Sequence, residues 1–200
     1  MNEFDAVVRR RTMTRSFTGE PVDAQLLLRL VDLAARAPSA GKTQGWHLVV
    51  LEGAETDRYW RHAFPVERRG TFAFPGLFRA PVIALPYVDP NAYVVRYREP
   101  DKQHTGLGSG VDVWSAPYWT IDGSMAVMTL LLAAEAVGLG ALFFAASNGD
   151  AVRAELGVPD HLELLGAIAL GWPDRTAWPA GRSAGRPRRS PEAIIHRNGW

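Results

Sequence analysis

The chain has 200 residues, 47% of them hydrophobic and 22% charged, with a net charge of +1 and no cysteine. This is the make-up of one soluble globular domain long enough for a sizeable core, and it gives no reason to expect nucleic acid or an anionic membrane as partner. It excludes disulfides, thiol catalysis and cysteine-ligated metals. Met1 to Asp5 lacks a basic stretch leading into an apolar core, and the most apolar run, Met125 to Ala134, stops at Glu135, too short to span a bilayer. The expected location is cytoplasmic, by default.

Residues 3–11 are expected to form a short helix with Phe4, Val7 and Val8 on one face. Arg9, Arg10 and Arg11 lie at its C-terminal end, where cations oppose the macrodipole favourably. Arg15 makes four arginines in seven residues. Such a cluster is either a solvated charged face or a clamp for an oxyanion or phosphate, which the planar guanidinium fork suits. After a turn at Thr18–Pro21, Asp23 is placed to cap a helix whose apolar face is Leu26, Leu27, Leu30, Val31, Ala34 and Ala35. Pro38 ends it.

Ser39, Ala40, Gly41, Lys42, Thr43 and Gln44 form a small polar loop, and Trp46–Leu51 reads as a buried strand. The loop is either an ordinary surface connection or a place where a flat ligand approaches the backbone, with Lys42 and Gln44 at its edge. A helix is expected over 54–63. Residues 64–79 have no clear assignment, and Pro81–Leu85 is a second strand.

From Tyr87 to Thr120 periodicity is lost, while aromatics accumulate at Tyr87, Tyr93, Tyr97, Trp114, Tyr118 and Trp119. A loop this long reads as a cover over a site, with a short helix at 91–98; the alternative is an aromatic satellite core without a ligand. Asp122–Val137 is a helix apolar almost all round, hence buried on most sides in the core or at a subunit interface. Strands are expected at 141–145 and 164–170, the latter buried on both faces, with a helix at 151–156 between them. Asn148 or Asp150 would cap that helix, and Gly157 and Pro159 close it. The last thirty residues carry Arg175, Arg182, Arg186, Arg188 and Arg189 among glycines and prolines, then a strand-like Ala193–His196 and a terminal Trp200. A tail of this kind wraps onto another surface. The organisation expected is a single domain over 1–200, with an aromatic lid at 86–120 and an extended arm at 173–200.

Several chemistries lack their residues. Gly106–Gly110 lacks the sixth-position glycine of the dinucleotide fingerprint, and Gly138-Leu139-Gly140 follows a helix where that fingerprint must follow a strand. No P-loop has its Gly-Lys-Thr at the required spacing. His47, His62, His104, His161 and His196 are isolated, and none pairs at metal-ligand spacing, so no metal is expected. Cationic clusters, a small-residue loop and aromatics without an evident acid, base or nucleophile describe a protein whose bound cofactor carries the chemistry. No catalytic side chain is expected.

Taken in order, Arg11-Thr12-Met13-Thr14-Arg15-Ser16-Phe17 with Pro21-Val22, Ala37–Gly41 with Gln44 and Trp46, Gly138–Gly140, Gly171-Trp172-Pro173 and the basic Gly185–Arg189 resemble the nitroreductase family of flavin-dependent oxidoreductases. The resemblance covers nearly the whole chain. It implies an α+β fold, a mixed central sheet flanked by helices, built as an intertwined homodimer whose C-terminal tails embrace the partner. It implies FMN at the interface, NADH or NADPH as hydride donor, and a small organic acceptor such as a nitroaromatic or quinone, in ping-pong order. Alternatives within the fold are a dedicated biosynthetic or catabolic flavoenzyme and a non-catalytic flavin-sequestering or sensing protein.

Carried over, the resemblance implies that Arg11 and Arg15, with Arg10 as a helper, meet the FMN phosphate or ribityl chain. Arg186 and Arg188 would approach the same phosphate from the C-terminal segment. Pro38, Ser39, Ala40, Lys42 and Gln44 would line ring and ribityl from the other subunit. Ala145 and Ala146 would present N–H groups to the ring's N5 and O4 edge, and Tyr118 or Trp119 would stack on or gate its open face as substrate contacts. Two positions depart from the family's pattern. Met13 stands where a small hydroxyl residue is common, removing a side-chain bond to phosphate. Lys42 stands where asparagine is common, which would shift the flavin potential upward.

Overall fold

The computed structural model describes residues 2–177, 180–181 and 183–200. Met1 and Arg182, named above in the leader and tail readings, lie outside the described residues. In chain order the elements are α1 (Glu3–Arg10), α2 (Ala24–Ala34), β1 (Trp46–Glu52), α3 (Asp57–Ala63), α4 (Val66–Arg69), β2 (Val82–Val88), α5 (Pro90–Arg96), α6 (Tyr118–Ala136), β3 (Gly140–Phe144), α7 (Gly149–Leu156), β4 (Glu163–Leu164) and β5 (Ala167–Gly171). Among the described residues no helix is long and apolar enough to cross a membrane.

Local chemistry explains most boundaries. Asn2 and Asp5 close a capping box on α1, and the Asp23 carboxylate accepts from Leu26 N–H as the cap of α2. The expected cap of α7 differs. Asn148 takes a left-handed conformation and its side-chain amide instead donates to the carbonyl of His62, at 2.7 Å, tying α7 to α3.

The sheet runs β1-β2-β5-β3, with β4 beside β2, and every ladder between these strands is antiparallel. The mixed sheet expected above is corrected on this point: its parallel element is one isolated bridge, Met13 to Ala141, outside the named strands. Alternation along β2 and β5 divides the core into two layers. Ile83, Leu85, Tyr87, Ala167 and Ala169 face α3 and α7 with Tyr59, Trp60 and Val152. Val82, Ala84, Ile168 and Leu170 face α2 and α6 with Leu27, Leu30, Val127, Leu130 and Leu131.

The structure alters four further expectations. The strand expected over 164–170 is broken into β4 and β5. In a strand the N–H and C=O of one residue point to the same neighbour. Pro86 O accepts from Leu165 N–H at 2.9 Å, so its missing donor also faces that edge, and β2 has no bond to give there. Strand β1 is not buried as expected. It is a sheet edge paired only with β2, and Leu51 is its one buried residue.

Helix α6 begins at Tyr118, not Asp122, and buries one side only. Ile121 and Met128 are each about two-fifths exposed, and Met128 lies beside exposed Phe4 and Val8 of α1. Finally, Ala193–His196 is not a strand. Pro191–Ala193 is a 3-10 turn, Ile194, Ile195 and Trp200 are exposed, and the arm from 183 onward packs on nothing in its own chain that would bury it. An extended segment needs a ladder partner, and it has none among the described residues.

Residues 86–120 are built rather than loose. β2 continues to Val88, α5 follows, three short 3-10 turns complete the segment, and Tyr93, Trp114 and Trp119 join Val88 in a third apolar cluster. Tyr97 and Trp114 meet edge to face with centroids 4.6 Å apart. The aromatics expected to cover a ligand are largely engaged with one another, as in the satellite-core alternative.

Candidate functional site

The extended segment after α1 is stitched to the rest of the fold. Thr14 N–H donates to Ala141 O at 3.0 Å, and Phe17 N–H to Gly76 O at 3.1 Å. This fixes the directions of Arg11 and Arg15, which with Met13, Arg186 and Arg188 line one cleft of about 560 Å³. Gly181, Ser183 and Ala184 of the arm form its other wall, and among the described residues no carboxylate lines it. A Cβ on Gly181 would lie 2.8 Å from the Arg15 guanidinium, so the arm docks closely there.

Among the described residues none of these four arginines takes part in an ion pair. Arg15 donates to Met13 O at 3.0 Å and lies over the Phe74 ring, 5.4 Å from its centroid. Met13 thus serves this cleft through its carbonyl, not its side chain. Arg11 Nη1 is buried and has no hydrogen-bond partner among the described residues. A buried charged donor without an acceptor is costly, and an anion in the cleft relieves it.

Arg10 is not part of this group. One residue earlier on the helix, it turns away and donates to Glu135 Oε1 at 2.9 Å and Glu135 O at 3.2 Å. There it lines a neighbouring cleft of about 460 Å³ with Thr12, Gly138 and Arg175. The structure thus places Arg10, expected as a helper, apart from the Arg11–Arg15 cleft.

The loop after α2 is strained and closely held. Gly41, Lys42 and Gln44 have φ of 60°, 56° and 55°. For the two that carry side chains this left-handed geometry costs roughly 1–2 kcal/mol each. Ser39 holds it from within: Oγ accepts from Gln44 N–H and the carbonyl accepts from Lys42 N–H, each at 2.8 Å. From outside, Asp122 Oδ2 accepts from Ala40 N–H and from the Tyr93 hydroxyl, each at 2.7 Å. Arg96 Nε donates to Gly41 O at 2.8 Å while its fork grips Asp101, whose carboxyl is held down at about 2 by that guanidinium.

Burial first, then the bond to Asp122, push the Tyr93 hydroxyl well above the ordinary tyrosine range, with Ser39 acting the other way; Tyr93 is a donor here. Pro38, Ser39 and Gln44 pack with Trp46, Tyr93, Asp122 and Ala126 around a gap too small for a ligand. Lys42 is exposed.

Asp122, Tyr93 and Arg96 were not singled out by the sequence as site residues. The legible signal was one carboxylate inside an otherwise apolar helix face.

Ala145 and Ala146 follow the last rung of β3, where Phe144 faces Ala167, and neither N–H has a partner outside the sheet ladder among the described residues. Tyr118 is 38% exposed. Trp119 is 8% exposed and its indole donates to Glu163 at 3.0 Å, which makes it a buttress of the aromatic cluster, not an open stacking face. The string Gly181-Arg182-Ser183-Ala184-Gly185 has the letters of a nucleophile elbow. Of this string the structure describes Gly181 and Ser183–Gly185, and among the described residues it has neither the strand before it nor the helix after it that such an elbow requires. Among the described residues no His, Asp and Glu group could hold a metal ion.

The two halves lie at opposite ends of α6. Its N-terminal end meets the strained loop through Asp122. Its C-terminal end meets Arg10, and through β3 the Arg11–Arg15 segment. On α6 Asp122 and Glu135 are thirteen residues apart, about 20 Å, and among the described residues none of the loop lines the arginine cleft.

A family model described as "Nitroreductase family" matches residues 8–172. The chain is 32% identical over 202 residues to a 4-nitrobenzoate reductase of Nocardioides sp., covering 86% of this chain and 81% of that one. It is 30% identical over 194 residues to an NADH dehydrogenase of Thermus thermophilus, covering 88% and 89%. A putative nitroreductase of Exiguobacterium sibiricum, solved in complex with FMN, has the same fold at a TM-score of 0.73 and 16% identity, covering 91% and 93%.

Proposed function

The chain belongs to the nitroreductase family, and from that premise we propose that it is an FMN-dependent oxidoreductase passing hydride from NADH or NADPH to a small organic acceptor. The proposed order is ping-pong, and a nitroaromatic or quinone is the proposed acceptor class. One observation carries the cofactor reading: Arg11, Arg15, Arg186 and Arg188 converge on one cleft, and among the described residues no carboxylate lines it and the buried Arg11 Nη1 has no acceptor. That is the electrostatic demand of a phosphate dianion, and a volume of about 560 Å³ suits a mononucleotide end. The names of the Nocardioides and Thermus relatives support a nitroaromatic acceptor and a nicotinamide donor.

When bound, FMN supplies the hydride chemistry. In this reading the four arginines hold its phosphate. Pro38, Ser39, Ala40, Lys42 and Gln44 of the strained loop lie along ring and ribityl. Ala145 and Ala146 offer two N–H groups to the ring's edge, and Tyr118 contacts the acceptor. The chain's share is orientation and fixed charge, with no side chain required as acid or base.

The working unit in this reading is a homodimer. The separation of cleft and loop along α6 is removed when a second copy packs on the exposed Ile121 and Met128 face, beside Phe4 and Val8, supplying its loop to the first copy's cleft. The arm with Ile194, Ile195 and Trp200 then covers the partner. The test is the visible spectrum and sedimentation of the purified protein, with and without added FMN, followed by NADH and NADPH oxidation with a nitroaromatic. Bound flavin on a dimer is expected. A colourless protein that takes up no FMN in excess discards the cofactor assignment.

A further inference from the structure

We propose that Asp122 is a positioning residue for this site: its buried carboxylate fixes the Pro38–Gln44 loop, joining it to the aromatic insert and to α6. The proposal rests on reading that loop as the part of the site that meets the cofactor ring. Asp122 is 6% exposed and has no ion pair among the described residues. A carboxylate buried without a counter-ion contributes little as packing, and only well-made hydrogen bonds offset its desolvation.

Both short bonds to its Oδ2 come from distant parts of the chain. Ala40 N–H is 82 residues away in sequence and the Tyr93 hydroxyl 29. The next residue in the loop, Gly41, is gripped as well. Its carbonyl accepts from Arg96, and a Cβ there would lie 2.9 Å from the Tyr97 ring. Three left-handed residues follow within this grip, at 41, 42 and 44. A loop in that conformation relaxes unless its surroundings over-determine it, and the acceptor for Ala40 N–H is the tie that α6 supplies. On this view the insert at 86–120 acts on the site from behind. Tyr93, Arg96 and Tyr97 hold the loop in shape, and the exposed Lys42 side chain is aimed by that shape.

The experiment uses the full chain with Asp122→Ala, Asp122→Asn and Asp122→Leu, the last filling the space without an acceptor should the alanine variant not fold. Hydrogen exchange is first read without FMN, then FMN affinity and the visible circular dichroism of the bound flavin. Asp122→Ala is expected to speed exchange at 40–44 about tenfold or more, leave β2 and β5 unchanged, and weaken FMN binding about ten- to hundredfold. Asp122→Asn, which keeps an accepting oxygen, is expected to restore most of both. Unchanged exchange at 40–44 in the alanine or leucine variant overturns the proposal whether or not flavin binds. A rise spread equally over β2 and β5 also overturns it, because that is a core residue's signature. Loop exchange that responds in a protein that takes no FMN upholds the loop-fixing role and removes the cofactor reading alone.

Discussion

Arg11 makes a prediction in which stability and binding move apart. Among the described residues its buried Nη1 has no partner, and the three further arginines of the cleft have no ion pair. An unsatisfied buried donor costs about 1–3 kcal/mol, and the bond it makes to an anion is worth roughly 1.5–3 kcal/mol. Arg11→Met keeps the aliphatic stem and removes the guanidinium. Without FMN the variant should be as stable as the wild type or up to about 1 kcal/mol more so, a rise in Tm of about 2–4 °C for a chain of this size. FMN affinity should fall by the value of the lost bond, about 10- to 150-fold. At an FMN concentration about a thousand times the wild-type Kd, ligand stabilisation is about 4.1 kcal/mol; a hundredfold weaker variant keeps about 1.4 kcal/mol. Thermal melts across an FMN titration read both quantities in one experiment. The reasoning is refuted if the FMN-free variant loses more than about 1 kcal/mol while its FMN affinity is unchanged.

Three further outcomes are expected. Gly123 brings α6 close to β2, and an added Cβ would lie 2.4 Å from Val88 Cγ1 and 2.9 Å from Leu165 Cδ1. Gly123→Ala should therefore destabilise by up to about 2 kcal/mol, overpacking outweighing the helix gain of about 1 kcal/mol. In a Val88→Ala background the same change should turn stabilising, and denaturant melts of the four-member cycle check the coupling. Tyr59 is fully buried, its hydroxyl has no partner among the described residues, and burial raises its pKa well above the ordinary value. Tyr59→Phe should raise stability by about 1 kcal/mol, and a comparable loss would show that the hydroxyl has an acceptor. Lys42 is an exposed cation on the strained loop. Lys42→Asn should lower the two-electron flavin potential by about 20 mV, the worth of about 1 kcal/mol, and an unchanged potentiometric titration argues against any contact with the ring.

The sequence by itself determined what depends on neighbours a few residues away. Asp23 caps α2 through a backbone group within one turn, and α2 ends at Ala34, ahead of the Ala37 that Pro38 bars from helical geometry. The arginine and small-residue segments carried enough order along the chain to indicate the family, and only that resemblance joined Arg11 and Arg15, with Arg10 as helper, to Arg186 and Arg188.

What only the tertiary structure decided are matters of direction and pairing. Arg10 and Arg11 are adjacent, but about 100° of helical rotation sends the first to Glu135, 125 residues away, and leaves the second without a partner. Pro86 broke a strand on another part of the chain because its missing N–H faced that edge. Asp122 read as the start of a helix and turned out to be the buried acceptor for a loop 82 residues earlier. Burial, neutralisation and ladder pairing are set by contacts between distant segments, and a one-dimensional pattern encodes a side chain's period but not the partner it meets.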